Sequence, residues 1–247
     1  MFTRQFLFMN NRQLKALFFL ILLASPLSSF AKFPGLLQRF QLGYSFLSNT
    51  AELSNTSFPE TYEMKTNAAW GFTAGTFIPI KRLGGASSLN LGVDYMYNMM
   101  TWKSTITTPY GDLLFDGATV QMALPIGLDF KFGADALQVK TYRFCGTLGA
   151  GAYPSYALST VTGAPISIDP TFGFAPYVKA EIGIYAGICM KVRALYAIGD
   201  LEYMSAKETS DASSPTTKLT GKSNLAISLL IMPFSFKWQE EDWWNTY

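Results

Sequence analysis

Apolar residues recur at every second position through much of this chain. In segment 117–133 one set of alternate positions is apolar, and the residues between them are small or polar. Because successive side chains of a β-strand point to opposite sides, this spacing predicts a strand with one oily face. The apolar positions of the segment are Ala118, Val120, Met122, Leu124, Ile126, Leu128, Phe130 and Phe132.

The same alternation is found in seven further segments, so we predict eight antiparallel strands joined as an up-and-down meander. Long and short connections alternate along the chain, which places both chain ends on the short-turn side. The predicted strands cover 37–48, 68–80, 89–99, 117–133, 141–152, 174–184, 191–203 and 223–238. The predicted long polar loops are 49–65, 103–116, 155–171 and 204–222, and the predicted short turns are 81–87, 133–138 and 187–190.

The N-terminus has the pattern of a secretory signal peptide. A basic stretch precedes an apolar run at 16–27, and small residues follow it, which predicts cleavage between Ala31 and Lys32. The run has about 12 residues, whereas a membrane-spanning helix needs about 20. We therefore expect an exported chain without a helical anchor. The basic residues before the run are Arg4, Arg12 and Lys15.

The composition excludes several classes of function. The chain has no histidine, which removes the commonest general base and the imidazole metal ligand. Cys145 and Cys189 are the only cysteines, too few for a zinc site. The net charge is only +2, without a basic cluster, which argues against nucleic-acid binding. We predict a non-enzyme with no cofactor, no metal and no nucleic-acid partner.

Alternation alone leaves open which face of the strands lies outside. An inward oily face would make a soluble secreted barrel, and an outward one a membrane barrel. The clearest oily faces carry no charge, and the opposite faces are small with sparse charges. Eight strands enclose only enough room for packed side chains, so the small residues belong inside. We therefore predict an eight-stranded antiparallel up-and-down transmembrane β-barrel, with the soluble barrel as the alternative.

Aromatic residues gather near the ends of the predicted strands, as in the girdles of membrane barrels. The belt predicted on the long-loop side is Tyr44, Phe46, Trp70, Phe72, Tyr95, Tyr97, Tyr153, Phe172 and Phe174. The belt predicted on the short-turn side is Phe40, Phe130, Phe132, Tyr142, Phe144, Phe234, Phe236 and Trp238.

The signal peptide, the eight alternating strands and the Phe234-x-Phe236-x-Trp238 ending resemble the small eight-stranded outer-membrane barrels of Gram-negative bacteria. The outer membrane protein A-like and W-like barrels are the nearest type. The resemblance implies an outer-membrane location, lipid contact and use of the outer-membrane insertion machinery, but little about function. One departure is that residues 239–247 continue past the aromatic ending. We predict a signal peptide at 1–31, a barrel at 32–238 and a periplasmic tail at 239–247.

The inward face is predicted to carry charges that must be paired or solvated, because isolated buried charges are costly. The favoured interpretation is an ion network that plugs the lumen. The alternatives are a narrow, mildly anion-favouring pathway, since six of the nine charges are basic, and a gate controlled by titration. The predicted inward charges are Arg39, Asp94, Asp129, Lys131, Arg143, Lys179, Glu181, Lys191 and Arg193.

The cysteines and the C-terminal tryptophans are two further features of the sequence. Cys145 is predicted to face the lumen well up the wall and Cys189 to lie in a short turn, so we expect two unpaired thiols. Trp238, Trp243 and Trp244 are predicted to anchor at the inner, periplasmic interface of the outer-membrane bilayer. The alternative is that they dock a partner, because tryptophan is enriched at binding hot spots.

These features favour a structural or interaction protein of the outer membrane with exposed loops and a plugged lumen. Other envelope proteins are candidate partners through the loops or the tail. The alternatives are an accessory subunit of a larger outer-membrane secretion or assembly complex, and a narrow channel for small solutes.

Overall fold

The structure is a computed structural model that describes residues 34–56, 58–108, 111–162, 167–207 and 216–238. The predicted cleavage site at Ala31 and Lys32 lies outside these residues, as do Trp243 and Trp244 of the tail. The signal peptide and the tail therefore stay predictions.

The described residues are mostly β-strands. The strands are β1 (Gln41–Asn55), β2 (Phe58–Gly84), β3 (Ser87–Thr108), β4 (Gly111–Ala123), β5 (Ile126–Gly133), β6 (Phe144–Val161), β7 (Ser167–Asp169), β8 (Thr171–Tyr185), β9 (Cys189–Ala197), β10 (Leu201–Lys207) and β11 (Thr216–Met232). Two one-turn helices, α1 (Pro34–Leu37) and α2 (Ala134–Leu137), and a 3-10 helix (Ser235–Lys237) complete the described part.

The strands close into one antiparallel ring with eight positions in the described residues. β4 and β5 share one position, since both lie between β3 and β6 and are separated only at Leu124 and Pro125. Proline has no backbone N–H for the ladder, so the break falls there. β10 continues β9 beside β11, and β7 precedes β8. The ring closes where β1 pairs with β11, with Leu42 opposite Ile231. The predicted fold class is confirmed.

The oily face of the strands lies outside. Leu128, Leu148 and Ile182 are 53%, 59% and 70% exposed, whereas the intervening Asp129 and Glu181 are buried. The inward oily face of the soluble-barrel alternative is therefore wrong. The parity of each strand, read from the sequence, places its side chains on the side that the structure shows, with exceptions at the strand ends.

The predicted long loops are largely strand. β1 runs to Asn55 and β2 begins at Phe58, so most of the predicted loop 49–65 is a hairpin. β3 and β4 likewise extend through most of the predicted loop 103–116. The strands continue beyond the oily band, and their inward residues, such as Leu53 and Met64, still pack in the core of the barrel. This packing stabilises the extended hairpins. The outward residues of these hairpins are polar, and this polarity resembles that of a loop in the sequence.

The short-turn end also differs from the prediction. The connection at 133–138 is not a tight hairpin, because the four residues of α2 are all buried in the barrel and β6 begins only at Phe144. β11 ends at Met232, and the 3-10 helix follows it. Among the described residues, no helix combines the length and the apolar character that crossing a bilayer requires.

Candidate functional site

Eight charged side chains meet inside the barrel, and we call them the lumen ion cluster. Four are acidic and four are basic, so the cluster is formally neutral. All eight are buried, and every one lies within ion-pair distance of an opposite charge. The members are Asp94 of β3, Asp129 and Lys131 of β5, Asp135 of α2, Lys179 and Glu181 of β8, and Lys191 and Arg193 of β9.

Arg193 joins two carboxylates in the middle of the cluster. Its Nε donates to Glu181 Oε1 at 2.7 Å, and its Nη1 lies 3.1 Å from Asp94 Oδ1. The amide of Gln41 also donates to Asp94 Oδ1, at 3.1 Å. A guanidinium held by two carboxylates is a strong and directional contact. Arg193 therefore connects β9 to β8 beside it and to β3 across the barrel.

Lys179 makes a second connection across the lumen. Its Nζ lies 3.0 Å from Asp94 Oδ2 and 2.9 Å from Asp129 Oδ2. Glycines make room for these groups, since a Cβ on Gly149 would lie 2.4 Å from Asp129 Oδ1. The small inward residues that predicted a tight lumen leave the space into which the charged side chains fit.

Lys131 and Lys191 converge on Asp135 and Glu181. Lys131 Nζ donates to Asp135 Oδ2 at 3.0 Å, and Lys191 Nζ donates to Asp135 as well and to Glu181 Oε2 at 3.3 Å. The Phe77 ring lies under Lys131, with Nζ 4.3 Å from its centroid, in a cation–π arrangement. The helix α2 thus inserts a carboxylate into the lumen from the short-turn end.

Sequence reasoning missed Asp135 and Phe77. Asp135 was read as a turn residue, although the excess of six basic over three acidic inward charges already indicated a missing carboxylate. Phe77 stands at an inward position by the parity of β2, so alternation alone could have found it.

Two of the predicted lumen charges do not join the cluster. Arg143 is exposed, because the connection after α2 extends to residue 143 and only Phe144 begins the strand. Arg39 is half-buried and lies between α1 and β1. The predicted positive lining is therefore wrong in this part of the lumen, where basic and acidic groups are equal in number.

A base layer of buried apolar side chains closes the lumen at the short-turn end. Trp238 belongs to it and is 1% exposed, so its predicted place at the lipid interface is wrong. Its ring stacks on Tyr185 with the centroids 5.5 Å apart, and its Nε1 donates to the Gln38 carbonyl at 3.0 Å. The 3-10 helix turns the chain inward after Met232, which strand parity could not predict. The members are Phe77, Ala134, Cys145, Cys189, Met232 and Trp238.

The two thiols lie side by side in the base layer. Cys145 and Cys189 are free and buried, and their Sγ atoms are 3.6 Å apart. The predicted difference in height is wrong, because Cys145 is the second residue of β6 and Cys189 the first of β9, both at the short-turn end.

An upper core fills the lumen at the long-hairpin end. Trp102 and Tyr203 pack with their ring centroids 5.5 Å apart, and the Trp102 Nε1 donates to Thr119 Oγ1 at 3.0 Å. Burial raises the pKa of the Tyr203 phenol well above its ordinary value, so it stays protonated and donates to Asn224. Tyr153 is also buried here, its hydroxyl donating to Gln121, so its predicted place in the outer aromatic belt is wrong.

The lumen of the described barrel is thus filled in three layers: the base layer, the lumen ion cluster and the upper core. Groups of three or more His, Cys, Asp or Glu side chains arranged to hold a metal ion do not occur among the described residues. The arrangement ties strands on different sides of the barrel to one another through buried ion pairs.

Comparison with solved structures finds similar chains among small outer-membrane barrels. The crystal structure of the outer membrane protein OprG from Pseudomonas aeruginosa is 10% identical, covers 78% of this chain and 93% of that one, and has a TM-score of 0.46. The solid-state NMR structure of outer membrane protein AlkL in DMPC lipid bilayers is 10% identical, covers 78% and 88%, and has a TM-score of 0.43. Neisserial surface protein A is 12% identical, covers 78% and 96%, and has a TM-score of 0.31. No protein-family model matches the chain, and neither does a curated protein.

Proposed function

We propose that this chain is a closed β-barrel of the outer membrane that acts as a structural or interaction protein and does not conduct solutes. The observation that carries the proposal is the neutral, fully paired lumen ion cluster, packed between two apolar layers. A conducting pore needs a continuous wet path, and the buried side chains of these three layers support a lumen without one.

The outer surface supports a membrane location. The residues of β8 that point outward form an unbroken apolar row, with Phe174 71% exposed and Ile182 70% exposed. A soluble monomer rarely exposes contiguous apolar surface on this scale. The same band encircles the barrel, and lipid is the partner that fits it.

The hairpins beyond the band are the proposed interaction surface. At this end the outward side chains become polar and charged, as with Glu63 and Lys65 on β2 and Lys103 on β3. In the proposed orientation these hairpins face the outside of the cell and the short turns face the periplasm. Because these hairpins are held by a backbone ladder, they would present polar groups to a partner with little loss of conformational entropy.

Current measurements in planar lipid bilayers test the closed lumen. We expect the purified wild-type barrel to give no single-channel steps, because every path along the lumen meets the lumen ion cluster. Two matched variants accompany the wild type. Lys179→Gln removes a charge inside the cluster, and Lys222→Gln removes an exposed charge, since Lys222 Nζ lies 2.7 Å from Asp200 Oδ2 on the surface. Wild-type steps that change in Lys179→Gln but not in Lys222→Gln would contradict a closed barrel and support the narrow channel.

A further inference from the structure

The two cysteines meet across a strand that separates them. β6 and β9 are not neighbours in the ring, because β8 pairs with both. Gly183 of β8 stands opposite both Cys145 and Lys191, and a Cβ there would lie 2.9 Å from Cys145 Sγ. The missing side chain of Gly183 leaves the space through which Cys145 reaches the thiol of Cys189.

The surroundings hold both sulfur atoms in place. Cys189 is fully buried, and its backbone N–H donates to Ser235 Oγ at 2.7 Å. Cys145 pairs across the ladder with Gly133, which directly precedes α2. The thiol pair therefore lies where β6, β9, the α2 segment and the 3-10 helix come together.

We infer that Cys145 and Cys189 form a disulfide that ties β6 to β9 beneath the lumen ion cluster. The sulfur atoms need to approach from 3.6 Å to a bond length of about 2.05 Å. This inference rests on the proposed outer-membrane function, because the periplasm through which such a chain passes is oxidising.

The reaction is thiol–disulfide exchange with a protein or small-molecule disulfide. The thiolate of one cysteine attacks the oxidant's S–S bond, which forms a mixed disulfide and releases one oxidant thiolate. The second cysteine thiolate then attacks the protein sulfur of the mixed disulfide and releases the other oxidant thiolate. The two cysteines lose two protons and two electrons, and the oxidant is reduced to two thiols.

Burial determines when the exchange takes place. Cys145 is 4% exposed and Cys189 0%, so a bulky oxidant reaches them only before the barrel closes. The finished barrel then shields the bond. We expect a water-soluble dithiol to reduce it at least about a hundredfold more slowly in the folded protein than in the denatured one, because exchange requires access to sulfur.

Thiol alkylation tests the site on full-length protein isolated from outer membranes without reductant. The folded fraction is denatured and treated with a maleimide polymer, with and without prior reduction. We expect no alkylation before reduction and two additions after it, whereas Cys145→Ser and Cys189→Ser should each show one addition without reduction. Two additions to unreduced wild-type protein would overturn the inference.

A second measurement shows whether the bond belongs to the native fold. The reduced barrel, refolded in lipid and exposed to glutathione disulfide during refolding, should regain the bond together with its folded gel mobility. If the bond forms only in the misfolded fraction, the inference is wrong. Recovery of the chain in the inner-membrane or soluble fraction of the cell would instead contradict the proposed location, so the two failures are distinguishable.

Discussion

Replacing Arg193 by methionine is expected to lower the free energy of unfolding by about 3–5 kcal/mol, because it leaves the buried, formally neutral cluster with one uncompensated negative charge. Arg193 is fully buried and holds Glu181 and Asp94 at 2.7 and 3.1 Å. Methionine has a comparable length, so the change removes the charge, its ion pairs and the hydrogen bond from Nε more than it removes volume. Urea unfolding in lipid vesicles, followed by tryptophan fluorescence, measures the effect.

The matched control is Lys222→Met, which removes a surface ion pair with Asp200 and Glu52. This lysine is exposed, and solvent screening makes such pairs weak. Its unfolding midpoint should coincide with that of the wild type. An equally small effect of Arg193→Met would contradict the account, because it would mean that water already solvates the cluster.

Replacing Val178 by arginine on the oily face is expected to cost about 2–4 kcal/mol in a bilayer, as for cations near the midplane of membrane barrels. Val178 points outward from the middle of β8 and is 46% exposed. Its cross-strand neighbours are Ala150 and Tyr196, so no acidic residue stands opposite to pair with the new charge. The measurement is the same unfolding titration in vesicles.

Thr105→Arg is the control for this substitution. Thr105 is also outward and exposed, but it lies on β3 beyond the oily band, near the charged Lys103. The arginine there should meet water, and the unfolding midpoint should change little. If Val178→Arg were as well tolerated as Thr105→Arg, the band would not be in lipid.

The barrel could be predicted from the sequence because a strand's period of two is local information. The inward placement of Asp94, Asp129, Lys131 and Glu181 follows from parity alone once the oily face is placed outside. The glycines and alanines between them indicated how little space the lumen offers. Fold class and the facing of most strand residues depend on these two arguments.

The parts that the sequence could not predict lie where strand parity ends. The helix α2 is a single turn, too short for a periodic signal. It places the side chain of Asp135 in the lumen, whereas the sequence predicted a residue of a short turn. Trp238 follows an alternating Phe-x-Phe pattern, yet the 3-10 helix carries it inside. The sequence did not reveal where β1 ends and β2 begins, because the outward residues there are polar and resemble a loop. The inward residues, such as Leu53 and Met64, are apolar and buried, but they are too few to give a clear alternation.

The partners of each charge also depend on three-dimensional structure. Strand parity predicts which face of the sheet a charged side chain lies on, but it does not predict its ion-pair partner. Lys179 pairs with Asp94, which lies across the ring and 85 residues away in sequence. The same holds for Cys145 and Cys189, whose meeting depends on the gap at Gly183. Such contacts follow from the stagger of the closed barrel, which no single strand encodes.

Spin-label accessibility in lipid vesicles tests the outward oily face most directly. In a Cys145→Ser, Cys189→Ser background, single cysteines replacing Leu148 or Ile182 would carry the label, with Thr105 as the label site in water. We expect labels at Leu148 and Ile182 to relax with membrane-dissolved oxygen and to be protected from a water-soluble nickel complex, and the label at Thr105 to show the reverse. Nickel access at Leu148 and Ile182 equal to that at Thr105 would contradict a barrel that presents this face to lipid.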